Sequence, residues 1–227
     1  MSALLALVVR SSLRRTSWLV ILALHGAGVI GFVAAWARTN GVPLWQASLL
    51  IQLQGVERLG CAVLLTWVVA RVWSPQSPDG GRRDISVSVI TGTNARAMAS
   101  ARAVVSMAAA LAFVATVAPA FVAAQRIANA PGADLTIVML STCGFATFCV
   151  GLTSVAARVI TRPLMVWVTA AAGACVAALS TELLPDGWLR ASVPAIVGAT
   201  LILGAVLRAS PPRWLTDATD DEEVANV

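Results

Sequence analysis

Six apolar runs, each long enough to cross a membrane, follow one another along this chain of 227 residues. They cover residues 17–37, 48–72, 103–124, 134–157, 163–183 and 191–208. A helix needs about 20 mostly apolar residues to cross the hydrocarbon core, and backbone groups in lipid must pair within the segment. The runs are too long and too evenly apolar for barrel strands. They therefore predict an all-α membrane protein with six transmembrane helices.

Composition supports one membrane domain with no second folded unit. Hydrophobic residues make up 58% of the chain and charged residues only 12%, whereas soluble domains carry about 25% charged residues. We assign residues 1–210 to a single transmembrane domain. The acidic tail, residues 211–227, is predicted to be disordered, with contact to a partner protein as the alternative.

The residues before the first run predict a helix that lies on the membrane surface. Leu5, Val9 and Leu13 fall at helical spacing, while Arg10 and Arg14 share the other side. A frayed terminus is the alternative interpretation. The first run is not followed by a small-x-small pattern, so a cleaved signal peptide is not expected.

Arginine placement predicts the orientation, because the chain contains no lysine. With the N-terminus in the cytoplasm, twelve of the 16 basic residues lie inside and three outside, and Arg58 lies within a span. This distribution follows the positive-inside rule and predicts a multi-pass protein of the cytoplasmic (inner) membrane with both termini inside. Nucleic acid is not an expected partner, since no basic face carries readout residues.

The longest internal loop, DGGRRDISVSVITGTNARAMASAR, joins the second and third spans on the predicted cytoplasmic side. An isolated strand would have no sheet to join. As a helix, the segment places Ile85 and Val89 on one face. The pattern therefore predicts a short, half-apolar helix at the membrane surface, or a surface loop without a partner.

This layout resembles the permease subunit of a type-2 ABC exporter. That family has an N-terminal interfacial helix, six spans and a coupling helix in the first cytoplasmic loop. Asp79 and Gly80, the apolar run ISVSVI, the turn TGTN and then Arg102 are similar to the family's loop. Members often have proline at the turn and lysine in place of Arg102. The length and simple loops are also similar to the haem exporter permease of cytochrome c maturation.

The resemblance implies that a separate ABC ATPase subunit docks under this loop and that a second permease copy, identical or different, completes the transporter in the lipid. The residues it implies for ATPase coupling are Arg82, Arg83, Asp84, Ile85, Val89 and Arg96. A Walker A motif requires lysine, so the chain cannot contain a standard one. We expect no enzyme activity and no cofactor in this subunit.

Polar residues inside the second span form a candidate site. Gln54, Glu57 and Arg58 share one helical side at i, i+3 and i+4. A charge at mid-membrane costs roughly 2.5–3.5 kcal/mol on insertion scales, so such groups pair or face a cavity. Glu57 and Arg58 point about 100° apart and are expected to pair with other spans. They are interpreted either as a clamp between helices or as part of a translocation path.

His25 is the only histidine. It is predicted to hydrogen-bond another helix, and a role toward haem iron is the alternative. No metal site is predicted, and the four cysteines are treated as small apolar residues. The small-residue runs GAGVIG and AAAGACVAA predict close packing in the first and fifth spans.

Two functions remain after these observations. The first is the membrane-spanning subunit of an ATP-driven exporter. The second is a membrane scaffold or assembly protein without transport. An intramembrane protease would need a Ser–His pair, two aspartates or a metal motif such as HExxH, and the spans carry none of these patterns.

Overall fold

The computed structural model describes residues 16–39, 49–73, 95–128, 135–160, 162–181 and 187–209. Its helices are α1 Thr16–Thr39, α2 Leu49–Gly60, α3 Thr66–Trp73, α4 Ala95–Ala128, α5 Leu135–Val159, α6 Pro163–Thr181 and α7 Trp188–Leu207. A five-residue π-helical turn, Cys61–Leu65, joins α2 directly to α3. Six stretches are long and apolar enough to cross a membrane. The chain is therefore a multi-pass, all-α membrane protein by helix length and hydropathy, as the apolar runs predicted.

The third span is longer than its apolar run predicted. Helix α4 has 34 residues, which is about 51 Å at 1.5 Å per residue, whereas the hydrocarbon core is about 30 Å thick. It begins at Ala95, eight residues before the apolar run, because the alanines of ARAMASAR favour helix while its arginines lower the hydropathy. We call the side of the bundle where α3 ends and α4 begins the loop side.

Helix α5 lies at the centre of the bundle. It packs against α7, α4, α6 and α3, whereas α1 lies at the edge and packs mainly on α4. The largest fully buried side chains include Phe113 and Phe121 on α4 and Phe145 on α5. Lipid-exposed apolar side chains, such as Leu24 on α1 and Leu179 on α6, cover the outside of the bundle.

The backbones of α5 and α7 approach each other closely. A Cβ added at Gly144 would lie 2.5 Å from the carbonyl oxygen of Ala191, and one added at Gly151 would lie 2.5 Å from that of Gly198. Small residues at this contact let the two helices approach. The prediction of close packing in the first and fifth spans missed this pair of helices.

The glycines of the predicted small-residue runs have looser surroundings. Gly28 and Gly31 of GAGVIG face open space, and Gly173 of the fifth span meets only the side chain of Leu152. Small size alone therefore does not mark a contact, since a glycine that faces lipid looks the same in the sequence.

Three predicted features lie outside the described residues. They are the interfacial helix before residue 16, the surface helix that carries Ile85 and Val89, and the acidic tail after residue 209.

Candidate functional site

The most polar position of the described spans is on α2, at Glu57 and Arg58. Glu57 is fully buried and Arg58 is 3% exposed. Glu57 lies eight residues beyond the start of α2, which is about 12 Å along the helix axis. Both groups therefore lie within the candidate span Gln52–Trp73, where charged side chains normally have partners.

Glu57 faces His25 of α1. Nε2 of His25 lies 2.8 Å from Oε2 of Glu57, and both side chains are almost fully buried. The approach does not follow the axis that a hydrogen bond prefers, and neither atom has a hydrogen-bond partner elsewhere among the described residues. His25 thus approaches α2, at the carboxylate that the sequence had singled out separately, but the predicted hydrogen bond is not formed between Nε2 and Oε2.

A glycine makes room for the imidazole. A Cβ added at Gly60 would overlap ring atoms of His25 and would lie 2.8 Å from its Nδ1. On the other side, the ring of Phe113 lies 5.1 Å from the imidazole, centroid to centroid. The histidine therefore lies between α2 and α4, with its Nε2 close to Oε2 of Glu57.

Replacing Gly60 with alanine is expected to displace His25 and to lower the free energy of unfolding by about 1–3 kcal/mol, the usual cost of overpacking. The matched control is Gly55→Ala on the same helix, where an added Cβ meets nothing within 4 Å. The check is reversible unfolding in detergent micelles. Combining Gly60→Ala with His25→Ala should recover part of the loss, and a loss that persists unchanged would contradict the assignment.

Cys61 is a part of the site that sequence analysis missed. Its thiol donates to Oε1 of Glu57 at 3.4 Å, so both carboxylate oxygens have a neighbour. The available signal was the i, i+4 spacing of Glu57 and Cys61. This contact was overlooked because the cysteine was treated as a small apolar residue.

The π-helical turn starts at Cys61, directly beside the polar cluster. The turn frees carbonyl oxygens from the regular ladder, and the oxygen of Val63 accepts hydrogen bonds from Trp167 Nε1 at 2.9 Å and from Thr66 Oγ1 at 3.2 Å. Trp167 also packs edge to face on Trp67, with centroids 5.1 Å apart. Single π turns of this kind are frequent at functional sites.

Arg58 points to a different helix. Its Nη2 donates to Ser141 Oγ of α5 at 3.2 Å, while Gln54 one turn earlier is half-buried. The two neighbouring charges thus reach α1 and α5, as their angular separation on the helix predicted. These contacts join α2 to α1 and α5. A clamp between helices and the lining of a translocation path both stay predictions.

A second cluster ties α3 to α4 on the loop side. The indole nitrogen of Trp73 donates to Ser106 Oγ at 3.0 Å, and Arg102 Nη1 donates to the carbonyl oxygen of Trp73 at 3.5 Å. These bonds therefore join the last residue of α3 to positions seven and eleven residues after the start of α4 at Ala95. We call the contact of Trp73, Arg102 and Ser106 the stem.

Of the predicted coupling residues, Arg96 is the one within the described residues. Arg96 is exposed in the first turn of α4, and its carbonyl oxygen accepts a hydrogen bond from Ser100 Oγ at 2.8 Å. Arg82, Arg83, Asp84, Ile85 and Val89 lie outside the described residues.

Comparisons with known protein families, with curated proteins and with solved structures found no match to this chain. The site is therefore judged by its chemistry alone. Within the described helices, no three histidine, cysteine or acidic side chains converge as metal ligands. What the polar cluster offers is a buried imidazole–carboxylate contact beside an irregular helix turn.

Proposed function

We propose that this chain is the membrane-spanning subunit of an ATP-driven exporter, in which a separate ABC ATPase supplies the energy. The observation that carries the proposal is the stem, which bonds the two helices that precede and follow residues 74–94 in the sequence. A coupling element must transmit a displacement from outside the membrane to more than one helix at once. The stem suits this role because it links α3 to α4.

The length of α4 supports a stem that a cytoplasmic partner could reach. The helix exceeds the thickness of the hydrocarbon core by about 20 Å, so its ends project into the headgroup region or beyond. Residues 95–102 would then form a stretch of helix that projects at the membrane surface, on which Arg96 is exposed. An exposed arginine here suits electrostatic steering of a docking partner.

The stem also suits transmission into the bundle. Because Trp73 is bonded to α4 through both its indole and its carbonyl oxygen, α3 and α4 would move together when the segment between them is pushed. Both helices pack on α5, which in turn packs closely on α7. A rigid-body displacement of packed helices is a common form of switching between two states.

In this proposal the loop side faces the cytoplasm of the inner membrane, and both termini lie there. The lysine-free chain binds no nucleotide itself. It hydrolyses nothing, and a second permease copy, identical or different, completes the path. The substrate would cross the lipid between inward-open and outward-open packings of the helices, whose populations ATP binding biases.

The test is association with the ATPase subunit and its ATP turnover, measured for wild type and for the double variant Ile85→Asp/Val89→Asp. Two carboxylates on the predicted apolar face are expected to weaken association at least about tenfold, which corresponds to about 1.4 kcal/mol, and to lower complex-dependent turnover. The matched control is Ile85→Leu/Val89→Ile, which keeps the face apolar and should retain both properties.

Unchanged association and turnover in the aspartate variant would contradict the docking proposal. Such a result would favour the alternative function, a membrane scaffold without transport, for which a clamp of polar contacts among α1, α2 and α5 is sufficient.

A further inference from the structure

Arginine residues from three helices meet on the loop side, at the ends of α5 and α7 and near the start of α4. Nη1 of Arg158 donates to the carbonyl oxygen of Arg208 at 3.3 Å, which joins the last turn of α5 to the end of α7. Arg102 of α4 lies close enough to Arg158 for their like charges to interact. We call Arg102, Arg158 and Arg208 the arginine cluster.

The arginine cluster has an excess of positive charge within the described residues. Their only acidic residue is Glu57. It precedes Trp73, which bonds to Arg102, by about 24 Å along the helix axis. The bond from Arg158 to the end of α7 uses one of the five N–H donors of a guanidinium. Repulsion between the arginines is therefore best relieved by an anion that comes from outside these residues.

The depth of the arginine cluster indicates the kind of anion. Arg158 is the second-last residue of the candidate span that ends at Val159, and Arg208 directly follows the span that ends at Leu207. Both arginines thus lie where the hydrocarbon core meets the headgroups. Val159 and Leu207 are exposed apolar side chains, so acyl chains can contact the protein directly beside the two arginines.

We propose that the arginine cluster binds the headgroup phosphate of an anionic phospholipid in the leaflet on the loop side. Guanidinium groups recognise phosphate oxygens through paired N–H donors. Basic sites between transmembrane helices bind such headgroups. A zwitterionic lipid fits less well, because it brings a positive group of its own to a site that already has excess positive charge.

The bound lipid would connect two parts of the bundle. Arg102 belongs both to the arginine cluster and to the stem, whereas Arg158 and Arg208 belong to the closely packed helices α5 and α7. A headgroup held by all three would therefore join α4 to α5 and α7 beside the stem. This role depends on neither an ATPase partner nor a transported substrate.

The test is binding of phosphatidylglycerol to the full-length protein, delipidated in a non-ionic detergent, with bound lipid counted by native mass spectrometry. The dissociation constant is expected to be at least about tenfold lower for phosphatidylglycerol than for phosphatidylcholine, the effect of about two arginines at a membrane surface. The double variant Arg158→Gln/Arg208→Gln should lose this preference. Arg102 is left in place because it also belongs to the stem.

The matched control is Arg71→Gln/Arg162→Gln, which removes the same number of charges from the same side. Both residues are exposed, and the guanidinium of Arg71 lies over the ring of Trp67, 4.6 Å from its centroid. Because salt screens exposed charges beyond about 8 Å at physiological ionic strength, this control should change the dissociation constant by less than about threefold.

Equal binding of the two lipids by wild type would overturn the proposal, as would equal losses in the two double variants. Inorganic phosphate at millimolar concentration should not displace the lipid, since it has no acyl chains. Displacement would show that the site takes free phosphate and would overturn the lipid as its ligand. Because no ATPase is present, failure here is distinct from failure of the exporter proposal.

The acidic tail is the competing occupant. Its carboxylates are neutralised together in the variant Asp217→Asn/Asp220→Asn/Asp221→Asn/Glu222→Gln/Glu223→Gln, which should bind phosphatidylglycerol as tightly as wild type does. A preference for phosphatidylglycerol that appears only in this variant would mean that the tail covers the arginine cluster, and it would overturn the lipid proposal.

Discussion

Replacing Gly198 with alanine is expected to lower the free energy of unfolding by about 2–3 kcal/mol, near the upper end of the usual cost of overpacking. An added Cβ would lie 2.5 Å from the amide nitrogen of Phe148 and 2.6 Å from the carbonyl carbon of Thr147. These are backbone atoms of α5 and cannot rotate away as a side chain can. Helices α5 and α7 must therefore separate, and they form the most extensive helix contact of the bundle.

The measurement is reversible unfolding in mixed micelles, followed by tryptophan fluorescence. The matched control is Gly204→Ala, six residues later on the same helix, where an added Cβ meets nothing within 4 Å. Gly204→Ala should change the free energy of unfolding by less than about 1 kcal/mol, which is within the range of the intrinsic helix preference for alanine over glycine. Equal losses in the two variants would show that α7 does not pack on α5 through Gly198.

Removing one partner of the contact between His25 and Glu57 is expected to cost about 2 kcal/mol, because the remaining group is left buried and unpaired. The variants are His25→Leu, Glu57→Leu and the double variant. The double variant should be more stable than the sum of the single losses predicts, by about 1–3 kcal/mol, since replacing both partners of a buried polar pair by apolar groups is often close to neutral.

This double-mutant cycle of His25→Leu and Glu57→Leu is measured by the same unfolding experiment. Its control pairs Glu57→Leu with Ser180→Ala, an exposed residue on α6 whose hydroxyl bonds only to its own helix, at the carbonyl oxygen of Val176. That pair should be additive within about 0.5 kcal/mol. Additivity in the cycle of His25 and Glu57 as well would mean that the two side chains do not interact in the folded protein.

Hydropathy located the helices because it reports which segments prefer lipid to water, and the six runs and the six spans coincide closely. It did not locate the partner of each helix. Lipid tails are as apolar as leucine, so a face that packs on another helix needs no distinctive composition. For this reason Gly144, Gly151 and Gly198 could not be told from Gly28 and Gly31 in the sequence, although only the first three lie at close helix contacts.

The candidate site was predictable in its polar members only. Charged groups are rare in spans because placing them in lipid is energetically unfavourable, so Glu57 and Arg58 were identified from the sequence. The single histidine, His25, was noted as a separate polar residue. Their pairing depends on the rotation of α1 against α2, which no local pattern encodes. The π-helical turn at Cys61–Leu65 has no sequence signal of its own, since CAVLL suits a regular helix equally well.

The orientation of α4 tests the central claim most directly, namely that the loop side faces the cytoplasm, where an ATPase can dock. Arg96 and Arg126 are both exposed and lie on the same helix, about 45 Å apart along its axis. Each is replaced with cysteine in a variant whose four native cysteines are changed to alanine, and the labelling of right-side-out and inside-out membrane vesicles by a membrane-impermeant maleimide is compared. The account predicts that position 96 reacts only in inside-out vesicles and position 126 only in right-side-out vesicles. The reverse pattern would place the stem outside the cell and contradict the account.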